Sequence, residues 1–190
     1  MTATALAGSI RLRCAPVTVL VRGSATDEDA PSTLRELLGL VAADADLPVA
    51  HTAAGRPYLP DRPDLHISLS HDGPLVAAAI GVGVEVGVDV QRPTRAGAGL
   101  LRRCCPPATR SALAALGDDE RDRELARIWT VQEACVKSTG AGLRGRPWLI
   151  PVHFGQHHGR WRDRHWHSID TGVGAPVGIA HGTQRERDAR

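Results

Sequence analysis

Several features are scarce or missing in this 190-residue chain. It has one Tyr and one Phe beside four Trp, and Ala, Gly, Arg and Val dominate instead. No stretch approaches the ~20 apolar residues of a membrane span, and the N-terminal residues lack the sustained apolar run of a secretory signal. The net charge of +2 gives no electrostatic case for a nucleic acid or an anionic membrane as partner. With 42% hydrophobic and 23% charged residues, the chain is predicted to be a soluble globular protein of one domain or two small lobes.

Cysteine pairs are also missing from the pattern. The four cysteines, Cys14, Cys104, Cys105 and Cys135, form no C-x-x-C spacing. Neighbours in sequence, such as Cys104 and Cys105, seldom form a disulfide with each other. We therefore expect free thiols in a reducing compartment, and a cytoplasmic location.

Lysine is almost absent: of the 23 lysine and arginine residues, only Lys137 is a lysine. It lies near the end of a predicted helix from about Arg121 to Thr139, which Gly140 stops. Glu133 precedes Lys137 by one helical turn, so both side chains share one face. A lysine is a compact charge whose pKa can be tuned, which favours phosphate contact or proton handling. On the helix alone, an ordinary surface ion pair worth ~0.3–0.5 kcal/mol is the simpler interpretation.

Hydrophobic periodicity predicts a chain of the α+β class. The order of elements repeats on either side of a seam near Gly83, which predicts a pseudo-twofold duplication with the active site in the cleft between two similar lobes. The expected N-terminal lobe is 1–83, the C-terminal lobe is 84–183, and 184–190 is a frayed charged tail. Strands are predicted at 15–22, 65–70, 75–81, 84–90, 148–154, 160–169 and 173–181, and helices after Ser32, from Pro106 to Leu116 and from about Arg121 to Thr139, with loops at 51–64 and 92–99.

The strand predicted at 84–90 carries a polar face. Glu85, Gly87 and Asp89 alternate with valines, and Gln91 continues the polar face beyond the strand end. Asp89 together with a helical Glu133 is a reasonable magnesium site, because Mg²⁺ takes hard oxygen ligands. Taken alone this signal is weak, since an aspartate in a buried strand is often structural.

Four ordered motifs resemble those of the phosphopantetheinyl transferases. GVDVQ (87–91) followed by WTVQEACVK (129–137) is similar to the signature pair of that superfamily. GRPYL (55–59) and ISLSHDGPLVAAAIG (67–81) are similar to motifs of its two-lobed type, which serves surfactin and other peptide synthetases. The matches extend from Gly55 to Leu143 in family order.

The resemblance implies two related α+β lobes that hold coenzyme A across the cleft. It implies a Mg²⁺-dependent monomeric enzyme that moves the phosphopantetheine arm to a serine of an acyl or peptidyl carrier protein and leaves adenosine 3′,5′-bisphosphate. Glu133 would also accept the serine proton, and Lys137 would steady the pyrophosphate. The implied catalytic residues are Glu133, Lys137 and Asp89, the implied metal ligands are Asp89, Gln91 and Glu133, and the implied coenzyme A contacts are Arg56, Ser70, His71 and Lys137.

Three positions depart from the family pattern. Gln132 replaces the lysine before the helical glutamate, Gln91 replaces a frequent glutamate, and Thr109 stands where many relatives have a glutamate. Gln132 falls within an apolar stripe of the predicted helix, where a neutral amide costs less to bury than an ammonium. The candidates for basic N-terminal contacts to the coenzyme A phosphate are Arg11, Arg13 and Arg35.

The departures keep two other functions open. One is a catalytically weak paralogue that binds coenzyme A or a carrier protein, and the other is a hydrolase that cleaves coenzyme A at the same metal site.

A histidine-rich segment is a candidate zinc site, although solvated histidines in a hairpin are the favoured interpretation. The arginines between the metal strand and the helix are either solvated surface or a docking surface for an acidic carrier. The histidines are His153, His157, His158, His165 and His167, and the arginines are Arg102, Arg103 and Arg110.

Overall fold

The computed structural model describes residues 2–6, 9–14, 16–23, 29–95, 97–172 and 174–182. The predicted frayed tail at 184–190 and the expected free thiol of Cys14 fall outside what is described. The strands are β1 (Thr2–Leu6), β2 (Ser9–Cys14), β3 (Val17–Gly23), β4 (Ala50–His51), β5 (Pro57–Tyr58), β6 (Leu65–Asp72), β7 (Leu75–Val82), β8 (Val86–Val90), β9 (His158–Trp161), β10 (Arg164–Asp170) and β11 (Pro176–Gly182). The helices are α1 (Asp29–Ala42), α2 (Ala98–Cys104), α3 (Pro107–Ala114) and α4 (Asp118–Thr139), followed by 3₁₀ turns at Gly142–Gly145 and Pro147–Leu149.

The first sheet is antiparallel and has the order β1-β2-β3-β7-β6. Helix α1 covers one of its faces, because Leu34, Leu37 and Leu38 lie at helical spacing and are buried against β3, β6 and β7. The helix begins at Asp29, before the predicted cap at Ser32. Strands β4 and β5 form a separate small ladder beside this sheet.

The second sheet is antiparallel and has the order β8-β11-β10-β9. Helix α4 packs on one of its faces, where Trp166 and Ala180 join the helix core. Two glycines permit this packing. A Cβ atom on Gly87 would lie 2.1 Å from the Ala134 carbonyl oxygen, and one on Gly178 would lie 2.3 Å from the Thr130 carbonyl oxygen. The backbone of α4 therefore touches the backbone of β8 and β11 directly.

The remaining faces of the two sheets pack against each other. Since side chains alternate along each strand, the valines of β8 point away from α4 and into this central core. The layers thus run α1, first sheet, second sheet, α4, and the chain is a mixed α+β structure. The central core includes Val17, Val19, Val21, Val86, Val88, Val90, Val177 and Ile179.

The strand prediction at 148–154 is wrong. Pro147 begins a 3₁₀ turn that ends at Leu149, and Pro151 interrupts any ladder because proline has no N–H to donate. Ile150 and Val152 are nevertheless buried against α4, so the alternation of apolar residues reflects burial without a strand.

Other boundaries also differ from the prediction. The strand predicted at 160–169 is a hairpin of β9 and β10, with Arg162 in the left-handed region at its turn (φ 54°). Helix α2 begins inside the predicted loop 92–99, and α4 begins at Asp118 rather than Arg121. The sequence patterns did not predict β1 and β2. No helix in the described residues has the length and apolar character needed to cross a bilayer.

Candidate active site

A buried cluster joins three elements at the end of β8. Asp89 is 5% exposed, and its Oδ1 accepts hydrogen bonds from Ser70 Oγ on β6 (2.7 Å) and Lys137 Nζ on α4 (2.6 Å). Lys137 Nζ also donates to Ser70 Oγ (3.0 Å). Because Gly87 lets α4 touch β8, the last turn of the helix brings the chain's only lysine to the strand aspartate.

The Asp89 carboxyl carries opposing electrostatic effects. Burial raises its pKa above the ordinary value, while the charge of Lys137 and the hydrogen bonds from Lys137 and Ser70 lower it. The nearby carboxylate of Asp72 raises it further, and the net shift is upward. The charge of a buried carboxylate is costly unless a cation compensates it, and Lys137 supplies a cation here.

Glu133 lies one helical turn before Lys137 on α4. Burial raises the pKa of its carboxyl, the negative charge of Asp89 adds to the rise, and Lys137 opposes it. The two carboxyl groups are therefore close enough to repel each other. A carboxylate with a raised pKa is a better proton acceptor near neutral pH than an ordinary one.

A pocket of about 210 Å³ adjoins Lys137. Arg56 lines the same pocket, and Glu85 holds the Arg56 guanidinium through an ion pair of 3.6 Å. Gly140 ends α4 with φ 71°, and a Cβ atom there would lie 2.8 Å from Arg56 Nη1. The helix end thus has to be glycine for Arg56 to approach it. Two cationic side chains on one pocket are suited to an anionic ligand.

Gln91 and His71 lie outside the cluster. Gln91 Nε2 donates to Asp72 Oδ2 (3.2 Å), so its amide is engaged at the end of β6. His71 is exposed, and alternation places it on the face of β6 opposite to Ser70 and Asp72. The structure therefore brings together Asp89, Ser70, Lys137 and Glu133 of the predicted set, places Arg56 on the adjoining pocket, and leaves His71 on the other face of its strand.

Sequence reasoning missed Asp72 and Ser68. Asp72 lies beyond the strand predicted at 65–70, yet it ends β6 and accepts the Arg92 backbone N–H (2.6 Å). Ser68 Oγ accepts the Val88 backbone N–H (3.1 Å). The signal that could have found them is the polar alternation at 68, 70 and 72, which follows the apolar residues Ile67 and Leu69 along the strand.

Gln132 is fully buried, as its place in the apolar stripe predicted. Its Nε2 donates to the carbonyl oxygens of Cys104 (2.9 Å) and Ile150 (2.8 Å), so it ties α4 to the end of α2 and to the segment after the second 3₁₀ turn. Its Oε1 has no hydrogen-bond partner within the described part of the chain. Thr109 is buried in the first turn of α3.

The donor set at Asp89 suits a magnesium ion bound together with phosphates. Both hydrogen bonds to Asp89 use Oδ1, and a second carboxyl group, Glu133, lies near. Mg²⁺ commonly takes only one or two carboxylates and completes its shell with water and substrate phosphates. Among the described residues, no group of three or more His, Cys, Asp or Glu side chains is placed to hold a metal ion.

The histidines form a row across β9, β10 and β11 rather than a ligand cluster. His181 stacks with His165 and with His167, with ring centroids 5.8 and 6.3 Å apart. Burial lowers the pKa of His167 and of His181, and the neighbouring imidazoles lower both further. Of the five histidines in the predicted cluster, His153, His157, His158 and His165 are exposed, as solvated hairpin histidines are expected to be, and His167 is half-buried.

Comparison with known proteins links this site to one superfamily. Residues 85–177 match the model of the 4′-phosphopantetheinyl transferase superfamily. The segment includes Asp89, Glu133 and Lys137 and omits Ser70 and Arg56.

Three curated relatives carry the same activity in their names. The chain is 28% identical over 89 residues to a 4′-phosphopantetheinyl transferase of Bacillus subtilis, and 29% identical over 89 residues to 4′-phosphopantetheinyl transferase Sfp of B. subtilis strain 168; each alignment covers 47% of this chain and 39% of the relative. It is 31% identical over 117 residues to 4′-phosphopantetheinyl transferase HetI of Nostoc sp., covering 58% of this chain and 49% of the relative. The matched part therefore spans less than half the length of each relative. The resemblance predicted from the four motifs is confirmed: residues 85–177, just under half of the chain, match the model of the 4′-phosphopantetheinyl transferase superfamily.

Proposed function

We propose that this protein is a phosphopantetheinyl transferase, which moves the phosphopantetheine arm of coenzyme A to a serine of an acyl or peptidyl carrier protein. The observation that carries the proposal is the buried Asp89–Lys137 pair with Glu133 beside it, all within the segment that matches the superfamily. The motif in the first sheet contributes Ser70 to the same cluster, so motifs from both sheets lie next to each other in the fold.

Coenzyme A is proposed to bind with its phosphates at the cationic pocket. Arg56 and Lys137 both line this pocket, while Ile67 and Pro57 give it an apolar side. Asp89 and Glu133 would hold Mg²⁺, with Gln91 as a third ligand through its Oε1, since its hydrogen bond to Asp72 uses Nε2. The metal when bound neutralises and orients the pyrophosphate. Lys137 adds a fixed positive charge for the leaving group.

The transfer is a displacement at phosphorus. The hydroxyl oxygen of the carrier serine attacks the phosphorus that bears the pantetheine arm, and a new O–P bond forms. The pyrophosphate P–O bond breaks, and adenosine 3′,5′-bisphosphate leaves with the bonding electrons. Glu133 accepts the serine proton, which the raised pKa of its carboxyl favours.

The lobe arrangement is part of the proposal. We infer an N-terminal lobe of residues 1–83 and a C-terminal lobe of residues 84–183, related by a pseudo-twofold axis, with coenzyme A in the cleft between them. The support is that each region has its own antiparallel sheet with a helix on its outer face. We also propose a monomer in the cytoplasm, and the cytoplasmic location fits Cys104, Cys105 and Cys135, which are unpaired and buried.

The carrier protein is proposed to dock on α2 and the second 3₁₀ turn. Leu100 and Leu149 are exposed there, at 42% and 64%. Arg103 stacks over the Trp148 ring with its guanidinium carbon 3.7 Å from the ring centroid. Exposed apolar groups mixed with arginines suit an acidic amphipathic partner.

The proposal is tested by the intact mass of a purified apo carrier protein after incubation with the enzyme, coenzyme A and Mg²⁺. We expect a gain of one phosphopantetheine that a chelator prevents. Adenosine bisphosphate formed without a carrier would indicate a hydrolase instead. Coenzyme A binding without a mass gain on fatty-acid, polyketide and peptide carriers would indicate a binding module and would overturn the proposed function.

A further inference from the structure

Strands β6 and β8 lie side by side but belong to different sheets. β6 is the edge of the first sheet and β8 is the edge of the second. β8 exchanges its ladder hydrogen bonds with β11 on its other side. The backbone N–H groups of β8 that face β6 therefore need acceptors other than a backbone ladder.

Side chains of β6 supply those acceptors in a regular series. Ser68 Oγ accepts the Val88 N–H at 3.1 Å. Ser70 Oγ accepts the Val90 N–H at 3.4 Å. Asp72 Oδ2 accepts the Arg92 N–H at 2.6 Å. Each acceptor is matched with the N–H twenty residues further along the chain.

The series follows from strand geometry. In both strands every second residue points in the same direction. The acceptor side chains of β6 and the N–H groups of β8 that face them therefore repeat at the same distance of about 7 Å. A hydroxyl or carboxylate extends one side-chain length beyond its backbone, and this bridges the gap between the two edges. Ser68 and Ser70 are 6% and 8% exposed, and Val88 and Val90 are 0% and 2% exposed, so water cannot replace the first two bonds.

The last bond of the series also reaches the polar residues after Asp89. Asp72 Oδ2 accepts from Gln91 Nε2 (3.2 Å) in addition to the Arg92 N–H. A carboxylate is an acceptor only, so it fixes which end of the Gln91 amide faces it. The backbone on both sides of Asp89 is thus held by side chains of β6.

We propose that Ser68 and Asp72 are positioning residues that set the place of β8 against β6, and thereby hold Asp89 at hydrogen-bond distance from Ser70 and Lys137. They act through the Val88 and Arg92 amides and need no contact with the reacting atoms. The expected effect on phosphopantetheine transfer rests on the proposed function, whereas the effect on the β8 amides does not.

The test is residue-resolved hydrogen exchange of the backbone amides in the full-length chain. We expect Ser68→Ala to speed exchange at Val88, and Asp72→Ala to speed it at Arg92, each by about tenfold or more over the wild type. Asp72→Asn keeps an acceptor oxygen and should restore protection at Arg92. Amides of β3, such as Val19, report global unfolding and should be unchanged in Asp72→Ala. Ser168→Ala, a strand serine on β10, is the matched control and should leave both β8 amides as they are.

Transfer kinetics give the second measurement. We expect Asp72→Ala to lower kcat by about tenfold to a hundredfold, because small displacements of a reacting group are costly, and Asp72→Asn to regain most of the rate. If exchange at Val88 and Arg92 does not change in the alanine variants, the positioning proposal is wrong whatever the enzyme does. If Ser68→Ala fails to fold, the comparison of Asp72→Ala with Asp72→Asn decides the question alone. If exchange changes as expected while the wild type transfers nothing, the positioning proposal stands and the proposed function fails.

Discussion

The position of Lys137 in the fold decides between a surface ion pair and a role in the candidate site. On the helix pattern alone, an ordinary surface ion pair is the simpler interpretation of Lys137. In the structure its ammonium group is shared between Asp89 Oδ1 and Ser70 Oγ, at the edge of a pocket that Arg56 also lines. The side chain of Asp89 is 8% exposed in this ion pair, so the pair is not an ordinary surface contact.

Glu133→Gln should abolish transfer while the fold is kept. The change removes a carboxylate beside Asp89 and the proposed proton acceptor, and general bases contribute roughly 10²–10⁴-fold to a rate. Initial rates of carrier modification measure the loss, and circular dichroism checks the fold. Glu120→Gln, in the exposed first turn of the same helix, is the control and should retain the wild-type rate. Near-normal turnover of Glu133→Gln would show that the site is assigned wrongly.

The same substitution should change the pH dependence of stability. Because the folded state raises the pKa of Glu133, it binds this proton more tightly than the unfolded state does. The unfolding free energy of the wild type therefore falls as pH rises from about the ordinary glutamate pKa through the raised folded value. A glutamine does not ionise, so Glu133→Gln lacks this loss of unfolding free energy. The variant should therefore be more stable than the wild type at pH 7, and the difference in unfolding free energy should shrink towards pH 4. Urea denaturation at several pH values measures it, and a constant difference would contradict the raised pKa.

At the scale of elements, direct backbone contact between α4 and β8 places the cluster. Gly87→Ala would put a Cβ atom 2.1 Å from the Ala134 carbonyl oxygen and force the strand away from the helix. We expect a loss of about 2–3 kcal/mol in unfolding free energy, in the range of overpacked cores. Gly99→Ala in α2 is the control, because a Cβ atom there meets nothing within 4 Å. Equal stability of the two variants would mean that the helix and strand can separate at no cost.

Gln132 connects three segments, and its replacement tests whether charge or hydrogen bonding matters there. Gln132→Lys retains donors for the Cys104 and Ile150 carbonyl oxygens and should keep or raise transfer activity. Gln132→Leu leaves both carbonyls unpaired in a buried site and should lower the unfolding free energy by about 2 kcal/mol. Turnover assays and urea denaturation separate the two effects. A large loss of activity in Gln132→Lys would mean that this chain has adapted its site to the amide.

Strands and helices with one clear hydrophobic period were predictable from the sequence, whereas segments whose conformation depends on packing against other elements were not. Alternation located β3, β6, β7 and β8, and helical spacing located α1 and α4, because each presents one apolar face to a core. The segment 148–154 is equally apolar, yet its prolines and its burial against α4 override the pattern. In the site, the motifs indicated Asp89, Glu133 and Lys137. Polar alternation marks Ser68 and Asp72 but not their role, because their partners, the Val88 and Arg92 amides, are known only once the two edge strands are seen side by side.

At the scale of the whole molecule, the proposed docking surface is where exposed arginines and apolar side chains occur together. Arg102 and Arg103 are exposed on α2 beside Leu100, and Arg103 lies over Trp148. Arg160 is exposed on β9, and an arginine also lies over a tryptophan in that hairpin, Arg162 over Trp161, so charge reversal has to be compared at both places.

The double variant Arg102→Glu/Arg103→Glu should raise KM for the carrier protein by about tenfold, because each exposed charge pair is worth up to about 1 kcal/mol and reversal adds repulsion. KM for coenzyme A should stay the same, since the proposed phosphate pocket is formed by Arg56 and Lys137. The effect should weaken as salt is added, as screening requires. Arg160→Glu serves as the control for charge reversal at an exposed arginine on a different element, and it should change neither constant. If the double variant and Arg160→Glu behave alike, the arginines of α2 are solvated surface, and the carrier protein must dock elsewhere.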